Sequence, residues 1–370
     1  MAQGNDNQMK VKIPWWKVDI GDHEAAKVLT SIRAKCISQG PVTEKFEQQI
    51  AEELGVPFVV ACTSGSTALL MALIAAGIGP GDEVIVPNRT WIATAHAVMV
   101  LGAKVVLADD DGFEKSIFIS DVQKKINWKT RAIIPVHLNG RAADVETCKV
   151  IAAKKNCVVI EDAAQAFLSK NLEGNLGTQS LVGCFSFSLT KLISTGQGGA
   201  VCTADKSIWK KLRALRNHGV DDPVKIKYSG FGFNFRFNDI LASIGIGQLH
   251  KIKKSISHLI KVHSLYKKEL QNLPELNFIP ADLKNGELPL YAEVLCKKRA
   301  LIINELAKKG IQTRPYYPNL SLAPQFKTDK RFPFSKKHSL ESLFLPCGPS
   351  QPIENIMRTI NELKSICEKI

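Results

Sequence analysis

The chain has 370 residues, 45% of them hydrophobic and 23% charged, and a formal net charge of +14; this length predicts one large domain with a smaller second one. No run of about 18 apolar residues occurs, which argues against a membrane span, and the polar opening lacks an apolar signal core, so the cytoplasm is the expected compartment. The lysines fall in small helical groups such as Lys251, Lys253 and Lys254, without the interleaved aromatics of a nucleic-acid platform, and read as solvated faces that draw anionic substrates inward.

Residues 1–14 read as a loose tail ending at Pro14-Trp15-Trp16. The apolar spacing predicts a helix from His23 to about Ser38, and a second from Thr43 to Leu54 with Thr43 as its N-cap. Val59–Cys62 is a strand that breaks at Ser64-Gly65-Ser66, before an alanine- and leucine-rich helix from Thr67 to Ala76. Strands at 83–86, 104–107, 132–136 and 157–160 then alternate with helices at 92–101, 120–126 and 145–155. Short apolar strands alternating with helices predict an α/β fold built on a mainly parallel sheet covered on both faces. After His250 the rhythm changes to one long lysine-rich helix, Leu249 to Leu270, then shorter elements and a closing helix at 353–368. The expected division is therefore a large domain over residues 15–250 and a small α+β domain over 251–370. Nine cysteines stand singly with no C-x-x-C pair, so no metal site is expected.

Three groups could carry chemistry. Ser64-Gly65-Ser66-Thr67 joins a strand to a helix, where free N–H groups and the helix dipole favour an anion; alone, it reads equally well as a cap without a ligand. Asp162 ends the apolar strand Val158-Val159-Ile160-Glu161-Asp162, where ligands collect in parallel sheets, although a lone aspartate there also reads as a helix cap. Glu161 should face the opposite side. Gln165 follows within one turn of Asp162. Trp91 follows another strand end and could stack on a flat ring or belong to a core. Lys191 closes Phe185-Ser186-Phe187-Ser188-Leu189-Thr190-Lys191, just before Gly196-Gln197-Gly198-Gly199. A lysine in such apolar surroundings loses its proton readily. An acid for a ring nitrogen and an amine for a Schiff base are what a pyridine-aldehyde cofactor needs.

Over nearly its whole length the chain resembles the DegT/DnrJ/EryC1/StrS aminotransferases, pyridoxal-phosphate enzymes of fold type I that aminate nucleotide-linked keto-sugars. The resemblance is carried by Gln39-Gly40-Pro41 with Phe46-Glu47, by Ser64-Gly65-Ser66-Thr67-Ala68-Leu69, and by Gly77-Ile78-Gly79-Pro80-Gly81-Asp82. It continues in Glu161-Asp162-Ala163-Ala164-Gln165, in Phe185-Ser186-Phe187 with Lys191, and in Phe233-Asn234-Phe235-Arg236-Phe237-Asn238-Asp239.

The resemblance implies a large domain with a seven-stranded sheet and a small C-terminal α+β domain. It also implies pyridoxal 5'-phosphate as cofactor, with pyridoxamine phosphate as its aminated form. Lys191 would hold the cofactor covalently and shuttle the proton, Asp162 would pair with the pyridine nitrogen, and Gln165 would contact the ring hydroxyl. Gly65, Ser66 and Ser186 would hold the phosphate and Trp91 would stack on the ring. Asn234 would reach the partner subunit's phosphate, which makes the expected unit a homodimer with shared sites. Glutamate is the implied amino donor. The segment 234–239 resembles the C-4 aminotransferases more than the C-3 group, with a product for surface polysaccharide or a related glycoconjugate.

Gln197, Ser188 and Arg89-Thr90-Trp91 depart from the commoner family residues near the pocket. Histidine in place of the lysine marks relatives that dehydrate sugars; Lys191 argues against that branch. Sugar 3-deoxygenation on the same cofactor and a non-catalytic cofactor-binding regulator are the alternative functions. Substrate choice is expected to sit in loops around 170–180, 220–230 and 310–330, where Arg314, Tyr316 and Tyr317 fit either sugar or diphosphate contacts or a packed loop.

Overall fold

The computed structural model describes residues 11–110, 117, 119–220, 227–326, 328 and 331–369. Its strands begin with β1 (Phe58–Cys62), β2 (Glu83–Pro87), β3 (Lys104–Ala108), β4 (Thr130–Ile133) and β5 (Val158–Asp162). A two-residue hairpin, β6 (Lys170–Asn171) and β7 (Gly174–Asn175), precedes β8 (Val182–Ser186) and β9 (Gly199–Thr203). Apart from the hairpin these strands form one seven-stranded sheet in the order β1-β9-β8-β5-β4-β2-β3. β9 runs antiparallel to both its neighbours, and the remaining pairs are parallel. Strands β2, β8 and β9 are buried along their whole length. Burial on both faces is why Val84-Ile85-Val86 of β2 reads as a continuous apolar run rather than an alternation.

The helices of this part are α1 (Asp22–Arg33), α2 (Pro41–Leu54), α3 (Gly65–Ala75), α4 (Ala93–Val100), α5 (Ile119–Lys125), α6 (Val145–Ala153), α7 (Lys206–Arg216) and α8 (Asp239–His250). Helix α3 is apolar on nearly every side because it is enclosed between the sheet, α4 and α7. A second sheet, β10 (Asn277–Phe278), β11 (Ala292–Leu295), β12 (Arg314–Pro315) and β13 (Ser342–Leu345), is antiparallel in the order β10-β11-β13-β12. It is accompanied by α9 (Ile252–Leu270), α10 (Arg299–Lys308), α11 (Pro333–Glu341) and α12 (Ile353–Cys367). Leu259, Val262 and Tyr266 of α9 join Ile356, Ile360 and Leu363 of α12 in a core that also contains Phe185 and Ala200 of the large sheet.

Several sequence expectations shift. The single helix expected over 249–270 is two, parted at Lys251, whose φ of −107° and ψ of 11° leave the helical region. The Lys251 ammonium is held by Asp19 (3.2 Å) and Glu24 (3.1 Å), so long-range ion pairs fix a break that local periodicity does not encode. Helix α1 stops five residues early, before Lys35 adopts φ +60°. Thr43 is not the N-cap of α2; Gly40 is. Asp239, at the start of α8, does the capping: its carboxylate accepts from the N–H groups of Gly40 (3.0 Å) and Thr43 (2.8 Å) and from the Thr43 hydroxyl (2.7 Å). Of the stretch expected to be a loose tail, 1–14, the described part is held in place. Residues 1–10 lie outside the described residues, but Lys12 and Ile13 both donate to the Gly310 carbonyl and Ile13 is buried, because its side chain fills the core beside Ile311.

A fully buried charge cluster ties the two sheets together. Glu293 of β11 meets Arg141 (2.6 Å), Arg89 (3.4 Å) and the Ser342 hydroxyl (2.7 Å), while Arg89 also meets Asp110 (3.5 Å). Burial alone would raise the Glu293 carboxyl, but the two guanidinium groups outweigh it and hold the acid down at about 2. Glu293→Ala would strand the buried Arg141 cation and leave Arg89 with Asp110 alone, and urea unfolding at neutral pH should show a loss of about 3–5 kcal/mol. Because the folded value lies below the ordinary 4.5, the Glu293 contribution is complete above that pH and disappears as pH falls toward about 2. The variant's deficit should shrink over that window.

Candidate active site

The carboxyl ends of β1, β2, β5 and β8 open onto one cavity of about 270 Å³, lined on its far side by residues of the small sheet. This is where a parallel sheet leaves room for a ligand. Lys191, Asp162, Gly65, Ser66, Trp91, Gln165 and Ser186 all line it. Seven of the eight residues singled out in the sequence thus converge although they span 127 positions, from 65 to 191.

At one end, the Ser64 side chain caps α3 by accepting from the Thr67 N–H at 3.1 Å. Gly65 and Ser66 begin the helix, where N–H groups have no carbonyl within the helix. A Cβ on Gly65 would come within 2.8 Å of the Ser186 Cβ, so glycine is what allows α3 to start against β8. Ser186 and Ser66 add hydroxyls to this helix start, a donor set that fits a phosphate.

Deeper in, Asp162 accepts from the Ala164 N–H (3.1 Å) and the Thr94 hydroxyl (2.8 Å). Burial raises its carboxyl above the ordinary value, opposed by those donors and by Lys191. Lys191 is pulled down to about 8, first by burial; Asp162 works against that and Arg314 adds to it. The two groups therefore sense each other across the cavity. Glu161 faces the other side of β5, where it meets His137 (3.0 Å) and accepts from the N–H groups of Gly177 and Gln179. The Ala143 N–H donates to His137 Nδ1 (3.1 Å), so Nε2 carries the proton shared with Glu161. Burial acts to raise Glu161, but His137 and the backbone donors win and lower it. This second acid belongs to the support of β5 rather than to the cavity.

Gln165 is locked at both ends of its amide: Oε1 accepts from the Asn139 N–H (2.8 Å) and Nε2 donates to the Tyr317 hydroxyl (3.2 Å). The Tyr316 hydroxyl donates in turn to Tyr317 (2.9 Å). Trp91 stands edge-on to Tyr317, ring centres 5.5 Å apart, and is 49% exposed, so its indole offers a face to the cavity. Of the segment 314–317, Arg314 and Tyr317 line the cavity, whereas Tyr316 is packed beneath it.

Asn234 is the exception. It is exposed, outside the cavity, and bridged to Asn217; a single chain does not bring it to the other seven. Gln197 and Ser188 do line the cavity. Residues 221–226, within one of the loops expected to set substrate choice, lie outside the described residues. Sequence reasoning missed Thr94, although a lone hydroxyl three residues after Trp91 on a helix that is apolar apart from His96 is a legible signal. It also missed Trp15, Tyr291 and Phe344, which form the small-sheet wall and carry no local signature. Among the described residues no group of His, Cys, Asp and Glu could hold a metal, and no helix is long and apolar enough to cross a membrane.

A phosphate-sized donor set at a helix start, a buried acid and a low-pKa lysine, arranged on a mainly parallel sheet beside a small antiparallel one, define a pyridoxal-phosphate enzyme of fold type I. The chain belongs to the DegT/DnrJ/EryC1/StrS aminotransferase family, whose model matches residues 18–364. It is 33% identical over 333 residues to GDP-perosamine synthase of Escherichia coli O157:H7, covering 89% of this chain and 92% of that one. It is 34% identical over 295 residues to GDP-perosamine synthase of Caulobacter vibrioides, covering 78% and 80%. Among solved structures it superposes on DesV of S. venezuelae, in complex with a ketimine intermediate, with a TM-score of 0.89 and 29% identity, covering 94% of this chain and 95% of that one. The protein is a pyridoxal-phosphate-dependent aminotransferase.

Proposed function

We propose that the protein moves an amino group from glutamate to a nucleotide-linked sugar bearing a keto group at C-4, supplying amino-sugar for a surface polysaccharide such as an O-antigen or a related glycoconjugate. The observation that carries this reading is the placement of Lys191 and Asp162 on one cavity with the Ser64–Ser66 helix start. The perosamine synthases, at 33% and 34% identity, support the sugar substrate.

When bound, pyridoxal phosphate supplies an aldehyde for the amine and a cationic ring that withdraws electrons from the adjacent carbon. Asp162 holds a proton on the ring nitrogen, with Thr94 and Ala164 keeping its two oxygens in place. Lys191 Nζ would hold the cofactor and, once free, would accept and return the proton of the amine-bearing carbon. Gly65, Ser66 and Ser186 hold the phosphate, Gln165 donates toward the ring hydroxyl, and Trp91 covers the ring face. In this reading residues 15–250 carry the cofactor, and residues 251–370, together with Trp15, supply the wall that meets substrate. Asn234 serves the site of a second copy in a homodimer, which accounts for its exposure together with Phe231 and Phe233. The enzyme works in the cytoplasm.

Glutamate and a panel of 4-keto and 3-keto nucleotide sugars, guanosine-linked ones included, followed by mass spectrometry, test the reading. Amino-sugar should form from the 4-keto members. Ammonia release without amino-sugar would replace amination by deoxygenation, and no response to glutamate would leave a cofactor binder. Because Lys191 sits at about 8 rather than 10.5, capture of added pyridoxal phosphate by the apoprotein should accelerate through a midpoint near pH 8 as the amine loses its proton. Stopped-flow absorbance reads this directly, and a midpoint near the ordinary lysine value would refute it.

A further inference from the structure

Lys191 stands in neither a strand nor a helix. It lies in the irregular loop 187–198 between β8 and β9, so no regular backbone ladder sets the base of its side chain. Inside the loop the Lys191 N–H donates to the Ser188 carbonyl at 3.1 Å, and the Thr195 N–H donates to the Phe187 carbonyl at 2.9 Å. The two carbonyls just ahead of the lysine are held from elsewhere. The Trp16 indole N–H donates to the Leu189 carbonyl at 3.1 Å, and the Tyr291 hydroxyl donates to the Thr190 carbonyl at 3.0 Å. That hydroxyl also lies 3.3 Å from the Thr190 hydroxyl. One donor comes from the N-terminal stretch and the other from the residue that precedes β11.

Both donors are themselves fixed. Trp16 and Tyr291 are buried and meet edge-on, ring centres 5.5 Å apart. The Cys347 carbonyl accepts from the Lys17 N–H at 3.0 Å and the Cys347 N–H donates to the Trp15 carbonyl at 2.8 Å, which pins the backbone on either side of Trp16. Asn139 donates its side-chain amide to the Tyr291 carbonyl at 2.9 Å and accepts from the Tyr291 N–H. Burial pushes the Tyr291 hydroxyl above its ordinary value, so it stays a donor through neutral and mildly alkaline pH. A phenylalanine at either place would also cover the wall with carbon; here each ring carries a polar tip that ends on the loop. Because a peptide unit is rigid and planar, holding the Thr190 carbonyl also holds the nitrogen and Cα of Lys191.

We propose that Trp16 and Tyr291 are positioning residues for Lys191, holding its loop so that the amine meets the aldehyde carbon of the cofactor in a reactive orientation. The proposal rests on Lys191 being the anchoring amine. In that reaction the neutral amine adds to the aldehyde carbon, and one water leaves as the C=N bond forms. The two residues act on it through the loop carbonyls, before any ligand arrives. Misplacement of a reacting group by about 1 Å costs on the order of 100-fold in rate.

The test uses the full chain freed of cofactor and two ligands. Pyridoxal phosphate reports covalent capture through the rise of its visible band in stopped flow. 4'-Deoxypyridoxine phosphate keeps the ring and the phosphate but has a methyl in place of the aldehyde, so its affinity reports the pocket alone. Tyr291→Phe and Trp16→Phe each remove a donor and keep a ring. Each should slow capture about 2- to 10-fold, the loss of one hydrogen bond, and the double variant roughly 10- to 100-fold. The deoxy ligand should bind all three about as tightly as wild type. Parallel losses for both ligands overturn the proposal, since they mean that the two bonds hold the pocket as a whole. Capture at the wild-type rate overturns it as well, and Tyr291→Phe, which removes a single oxygen, decides this alone if the Trp16 variant does not fold. A wild-type band that survives Lys191→Ala would instead defeat the assignment of Lys191 itself.

Discussion

Lys191→Ala should abolish turnover and remove the visible absorbance that the bound cofactor gives to wild type. The variant should still fold, because among the described residues Lys191 makes none of the buried ion pairs and its side chain lines the cavity rather than packing within either sheet's core. Two contributions disappear together. The anchoring amine is gone, and so is, among the described residues, the one side chain lining the cavity that combines reach with a proton affinity near neutrality, at about 8. Removing a positioned general acid–base group alone costs roughly 10²–10⁴ in rate, and loss of the covalent partner adds to it. Steady-state assay with glutamate and a keto-sugar, paired with an absorbance spectrum, checks both. A Lys191→Ala protein that retains the band and more than about a hundredth of the rate would remove the basis of the proposed chemistry.

Asp162→Asn should separate binding from catalysis. The phosphate end of the cavity is untouched, so cofactor should still bind and the visible band should remain. The rate should fall by roughly 10²–10³ or more, the usual cost of losing one preorganised electrostatic partner. The reason lies in the hydrogen bonds. Both oxygens of Asp162 accept, one from the Ala164 N–H and one from the Thr94 hydroxyl. An amide offers one acceptor and one donor, so it satisfies that pair only if the Thr94 hydroxyl turns away, and it carries no charge to keep a ring nitrogen protonated. The kcat of the variant, compared with its cofactor affinity, is the measurement. A proportional loss in both would mean that the acid merely shapes the pocket.

The sheet and most of the cavity were legible because their signals are local. Phe185, Phe187 and Leu189 around Lys191, and the apolar run before Asp162, mark strand ends by composition alone. What escaped was set by distant partners. Lys251 breaks a helix because Asp19 and Glu24 reach it. Thr43 looks like a cap until Asp239, some 196 residues away, takes the position. Helices α7 and α8 were not anticipated; the latter follows the aromatic run 231–237 and owes its start to the Asn238 side chain, which accepts from the Leu241 N–H. The wall formed by Trp15, Tyr291 and Phe344 joins three distant stretches by packing, and no window of sequence contains that information. Asn234 is a different case, since its expected role needs a second chain.

The stretch from Lys12 to Lys17 threads between Gly310–Ile311 and Cys347, and Trp16 donates its indole N–H to the Leu189 carbonyl beside Lys191. A ribosome therefore makes one wall of the pocket first and that wall's supports last. Contacts spanning some 300 residues close slowly, after shorter loops have formed. The nascent protein should thus build its large sheet early yet gain the finished pocket only once residues 310–347 have emerged, so that vitamin capture becomes a later event in maturation.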